Sequence, residues 1–298
     1  RYFYISINGH VTKDSLYRET KELIKELGPR IFIRRLRIFS EAYWAFAYSE
    51  RNELEEYIKE SFGSIKEHIL DQICDSLEAL RLFKVSQHLP LSIAFFSKAV
   101  IIKNDQQISE FLRILRGLEN FHFINNAICK KANNEIEKFY AEKCEEIELT
   151  NKVDSKQIDK IISGLAERKE KFDSFADNFS EVSYDQGDYY FKIIYYIFDR
   201  LNNHNKKGGD RINIYNTDVR ISKKNYNIEH LNPKNPKTNI YDISLEEDRE
   251  YINNIGNLLV VSFHSNSKAG NDPVEQKISK VYKNSLKLQT VQEFVESF

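Results

Sequence analysis

The chain has 298 residues, enough for two domains with cores of their own, and its 44 basic and 45 acidic side chains leave it almost neutral. That balance excludes a uniformly basic nucleic-acid coat, and no apolar run has the length of a bilayer crossing: the longest, Leu91 to Ile102, is short and interrupted by Lys98. Cys74, Cys129 and Cys144 form neither a CxxC pair nor an even-numbered framework, and no signal peptide is visible, so the expected setting is a reducing cytoplasm, away from membranes.

Residues 1 to about 200 read as successive amphipathic helices with short connectors. A helix over Asp14 to Leu27 carries Leu16, Leu23, Ile24 and Leu27 and stops at Gly28-Pro29, since glycine accepts the left-handed turn and proline cannot continue the ladder. Ile108, Phe111, Leu112, Leu115 and Leu118 recur at the spacing of one buried stripe. Lys130 to Glu148 continues in the same style, and Ser155 is the candidate cap of a helix running through Phe172. Tyr189, Tyr190, Ile193, Ile194, Ile197 and Phe198 make a dense aromatic and aliphatic face on a last long helix. It reads as a packing surface for the segment that follows, with a stacking platform for bases as the alternative. Neither a Walker-type glycine loop nor GxGxxG occurs, and no internal repeat stands out.

Asn202 to Asp210, Asn-rich and holding Gly208-Gly209, is the clearest loop in the chain. The expected division is a helical scaffold over residues 1–150 and a second domain with a helical lead-in over 151–298. Residues 201 to 298 carry 14 basic against 12 acidic side chains, but residues 203 to 237 alone hold eight against three. That local excess suits a phosphate backbone, and a solvated Lys/Asn-rich loop is the competing reading.

Chemistry concentrates in residues 226–285. Tyr226-Asn227-Ile228-Glu229-His230 reads as a strand, and Pro233 stops regular structure just beyond it, which leaves the imidazole at a strand-to-loop edge where a general base reaches solvent. Ile255 to Val261 reads as a buried strand, and Ser265 to Gly270 as a polar break. A helix is then expected at once, with Asp272 as N-cap, Pro273 in the first position, Glu275 completing a capping box, and Val274, Ile278, Val281 and Tyr282 on one face.

The order EH-x-x-P, GNL followed by apolar residues, N-S-K-A-G-N, and K-x-x-x-x-Y-x-x-S resembles the C-terminal HNH-type (His-Me finger) nuclease domain of GmrSD-type modification-dependent restriction enzymes. The four pieces cover about the last third of the chain. Leu231-Asn232-Pro233-Lys234 departs from the pattern, where an apolar residue more often precedes the proline and Gln follows it. The resemblance implies a mainly α protein, a helical scaffold followed by a small α+β finger of ββα-metal type.

It also implies roles. His230 would be the general base, with Asn257 pinning the catalytic loop through its side chain. Glu229 and Asn266 would hold a divalent cation, magnesium being the expected ion, with His264 as second choice for the Asn266 position. Lys268 and Lys277 would face phosphate. Bland readings stand beside these: a solvated strand residue for Glu229, a turn residue for Asn266. The implied function is a metal-dependent DNA endonuclease used in defence against foreign or modified DNA. Its partner would be an N-terminal modification-sensing, nucleotide-handling domain or subunit, which nothing in this sequence matches. The rival is a non-catalytic helical module that binds nucleic acid or a partner through a degenerate finger.

Overall fold

The structure is a computed structural model that describes residues 1–131, 134–150, 152–204, 206, 211–215, 225–235, 251–284 and 288–298. It is mostly helical, with one small antiparallel sheet towards the C-terminus. Two compact units divide between Glu170 and Lys171, twenty residues beyond the boundary drawn from sequence at 150/151. The difference is one helix, which packs with the first unit.

The first unit is built from α1 (Tyr2–Asn8), α2 (Leu16–Leu27), α3 (Pro29–Ala47), α4 (Arg51–Phe62), α5 (Glu67–Leu82), α6 (Leu89–Ile102), α7 (Asp105–His122), α8 (Asn134–Glu148) and α9 (Ser155–Glu167). Gly28, at φ +77°, ends α2 and opens α3. The stripe on α7 is core: Ile108, Phe111, Leu112, Leu115 and Leu118 are all buried as α7 packs on α5, α6 and α9. The cap of α9 is Asp154, not Ser155: Asp154 accepts from the Gln157 amide at 2.8 Å while the Gln157 side chain accepts from the Asp154 amide at 3.1 Å. That helix ends at Glu167, five residues short of the expected Phe172. The three cysteines, Cys74, Cys129 and Cys144, are buried. Among the described residues no helix is long and apolar enough to cross a membrane.

The second unit holds α10 (Phe172–Ser180), α11 (Asp188–Asn203), β1 (Tyr226–His230), a 3-10 turn (Ile255–Asn257), β2 (Leu258–Ser262), α12 (Phe263–Ala269), α13 (Val274–Lys280), a second 3-10 turn (Tyr282–Asn284) and α14 (Gln289–Ser297). Antiparallel pairing sets Tyr226 opposite Ser262 and His230 opposite Leu258. Leu258 to Val261 are all buried, because α11 and α14 pack on this strand. Ile193, Ile194, Ile197 and Phe198 of α11 are buried too, so the aromatic-aliphatic face is a packing surface within this unit.

Three expectations change. Helix α11 runs through Asn202 and Asn203, and both are buried pins: Asn202 binds Thr290 of α14, and Asn203 exchanges hydrogen bonds with Ile212. The remainder of that loop, Gly208-Gly209 included, lies outside the described residues, as does most of the basic stretch before Tyr226. The polar break is α12, capped by Ser262, whose hydroxyl oxygen accepts from the Ser265 amide at 3.1 Å. Helix α13 starts at Val274 with Pro273 rather than Asp272 at its N-cap, and Val281 and Tyr282 are buried beyond its end.

Candidate functional site

His230 is the last residue of β1, half-buried, with the chain leaving the sheet directly after it. Its Nε2 lies 3.1 Å from Oδ1 of Asn253, and the Asn253 amide nitrogen donates to Oδ2 of Asp185 at 2.8 Å. The second oxygen of Asp185 accepts from the Ser183 hydroxyl at 2.6 Å. The backbone stitches these segments together: Tyr184 N donates to Asn253 O at 2.8 Å and Ile255 N to Val182 O at 2.9 Å, beside a bridge between Ser183 and Asn254. The Tyr184 ring meets the imidazole edge-on, with centroids 5.4 Å apart, and the Lys234 ammonium sits over the same tyrosine at 5.1 Å. Burial lowers the pKa of His230, and the positive charges of Lys234 and Lys277 lower it further against the opposing bond to Asn253. The ring is therefore neutral at pH 7, as a proton acceptor must be. The Ser183 hydroxyl, with Asn253 and Lys234, holds the Asp185 carboxyl below its usual range.

Glu229 is positioned for a different task. Successive side chains of a strand leave on opposite faces, and the Glu229 carboxylate is buried where the His230 ring is not. The Lys277 ammonium of α13, itself 1% exposed, donates to Glu229 Oε1 at 2.6 Å, to the His230 carbonyl at 2.6 Å and to the Leu231 carbonyl at 3.3 Å. Three acceptors match three protons. Burial raises the Glu229 pKa against the pull of Lys277, and burial together with the Glu229 charge raises that of Tyr282. The spacing K-x-x-x-x-Y thus has a structural meaning at its first two positions; Ser285 lies outside the described residues.

Asn257 holds the turn after His230. Its Oδ1 accepts from the Asn232 amide at 2.9 Å, and its Nδ2 donates to the carbonyls of Asn232 at 3.1 Å and Ile252 at 2.8 Å. Its own carbonyl accepts from Leu231 N at 2.9 Å. Helix α12, which packs on both strands, carries exposed His264 in its first turn, partly exposed Asn266 and exposed Lys268.

His230, Glu229, Lys277 and Asn257 are thus one bonded neighbourhood at the end of β1. Glu229, expected as a metal ligand, already has its carboxylate paired with a buried ammonium. Lys277, for the same reason, is no phosphate contact. Sequence reading passed over Asp185 and Asn253, which lie far apart in the chain and carry no periodic signal. The only local hint is the pair Asn253-Asn254 directly before Ile255-Gly256-Asn257.

Residues 169–293 match the family model of the GmrSD restriction endonucleases, C-terminal domain. The matched span opens two residues before the second compact unit and closes inside α14, so it takes in every element around His230. The likeness is therefore of this segment to the C-terminal domain of restriction endonucleases. No curated protein and no solved structure matches the chain.

Proposed function

We propose that the GmrSD-type unit is a nuclease of the HNH (His-Me finger) type that nicks or cleaves DNA phosphodiesters in defence against foreign or modified DNA, with His230 as general base. The observation that carries this reading is the placement of His230: clamped through Nε2 and set at the strand-to-loop edge of a segment with the restriction-endonuclease match. In the reaction the imidazole takes a proton from water, the water oxygen attacks phosphorus, and the bond from phosphorus to the departing sugar oxygen breaks. Asn257 keeps the turn behind the histidine fixed, and Lys268 on the exposed side of α12 offers charge to phosphate.

A divalent cation, magnesium first, would supply Lewis-acid stabilisation of phosphate charge when bound. Asn266 stays a candidate ligand, while the fit of Glu229 fails on its bond to Lys277, so no step is routed through the ion. An N-terminal domain or subunit that senses modified DNA is the proposed partner.

The test is relaxation of supercoiled plasmid by the full chain, with magnesium and with chelator, for wild type and His230→Ala. The reading expects magnesium-dependent nicking that falls about 10²- to 10⁴-fold in the variant, the range for loss of a general base. Equal nicking by both proteins removes His230 from the chemistry. DNA binding without nicking under any metal favours a non-catalytic binding module.

A further inference from the structure

We infer that Asp185 and Asn253 are positioning residues for His230, fixing the imidazole as the Nε2–H tautomer so that Nδ1 carries the lone pair. The inference rests on the base role proposed for His230 and adds which nitrogen does the work.

In this chain of bonds the Asp185 carboxylate has only one possible role. A carboxylate only accepts, so the Asn253 atom 2.8 Å from Asp185 Oδ2 must be the amide nitrogen. The amide oxygen then necessarily faces His230, at 3.1 Å from Nε2. An oxygen cannot donate a proton it lacks, so Nε2 must carry the hydrogen and donate. In a neutral ring the other nitrogen is the acceptor. Asp185 is secured in turn by the Ser183 hydroxyl on its other oxygen, and its depressed pKa keeps it an acceptor at neutral pH. The relay does not float, because backbone bonds join residues 182–184 to residues 253–255 and the Tyr184 ring closes the flank of the imidazole. Nothing in the motif pattern around His230 contains either residue.

The experiment uses the full chain, labelled with ¹⁵N, at pH 8. A ring proton held by an acceptor exchanges slowly enough to be observed, whereas one facing water is lost to exchange, and signals of His230 are assigned by their absence in His230→Gln. The expected result is a His230 Nε2–H resonance in wild type that disappears in Asn253→Ala and in Asp185→Ala. Plasmid nicking by both variants should fall about 10- to 100-fold through kcat with KM for DNA unchanged, the scale of a misaligned reacting group. Asp185→Asn keeps an acceptor oxygen for Asn253 and should stay within about threefold of wild type, since hydrogen bonding rather than charge does the positioning. No Nε2–H resonance in the wild type overturns the tautomer, and wild-type nicking by Asp185→Ala and Asn253→Ala overturns the positioning role. Nicking by His230→Ala at the wild-type rate overturns the base reading instead, and leaves the resonance as a purely structural clamp.

Discussion

The ammonium of Lys277 lies 2.6 Å from Oε1 of Glu229, with both side chains buried and the His230 carbonyl equally close to the same nitrogen. The pair joins α13 to the strand end that presents the imidazole. It is therefore a fastening of the site and not a surface for substrate.

Removing one partner strands the other charge inside the unit. Lys277→Ala should cost about 3–5 kcal/mol in denaturant unfolding, the range for a broken buried pair, while Glu229→Gln combined with Lys277→Met should recover much of it. A variant at Lys268, which is exposed, should behave in the opposite way: unchanged stability, but a slope of log affinity for DNA against log salt that is smaller by about 0.9. An unchanged melting curve for Lys277→Ala would reverse the assignment of these two lysines.

Asn257 makes three side-chain hydrogen bonds across the turn that follows His230. Asn257→Ala should lower stability by about 1–3 kcal/mol, because the carbonyls of Asn232 and Ile252 lose their donor. Nicking should fall as well, with the loss read as kcat. Calorimetric unfolding with nicking rates on the same preparations checks both; activity lost with an unaltered melting temperature would make Asn257 a participant in chemistry.

The first unit carries its own pH dependence, in a buried histidine pair. His88 bonds Ser92, His122 bonds Asn126 and Tyr140, and the two rings lie 6.2 Å apart. Burial, joined for His88 by the charge on His122, pushes their pKa values down to about 3 and about 4. Above about pH 6.5 both rings are neutral whether the chain is folded or not, and they add no pH dependence. As pH falls below that, the unfolded chain takes up protons that the folded one refuses. Each histidine then removes about 1.4 kcal/mol of stability per pH unit until its folded pKa is reached. Chemical denaturation from pH 7 to pH 4.5 should show this fall, and His88→Gln should flatten it; identical slopes for the two proteins would contradict the assignment.

Much of this molecule was legible in its sequence, for local reasons. Helix stripes such as Ile108 to Leu118 are core because a period of 3.6 leaves a stripe nowhere else to go, and Gly28-Pro29 separates two helices by backbone chemistry alone. The two strands and the place of His230 at a strand end follow equally from runs bounded by breakers, although the second strand is Leu258–Ser262 and not Ile255 to Val261, its expected first three residues forming a 3-10 turn. Helix α12 was read as a break because its seven residues hold two serines and an asparagine, poor helix formers that are nevertheless helical under the Ser262 cap and against the sheet. What each polar group does was decided by tertiary structure. Glu229 looks like a ligand beside a histidine until α13 delivers Lys277 to it, and Asn202 looks like loop until Thr290 meets it. Asp185 reaches His230 only through Asn253, across a stretch of chain in which no periodicity connects them. A hydrogen bond is fixed by distance and direction in space, and sequence spacing records neither once the partners lie on different elements.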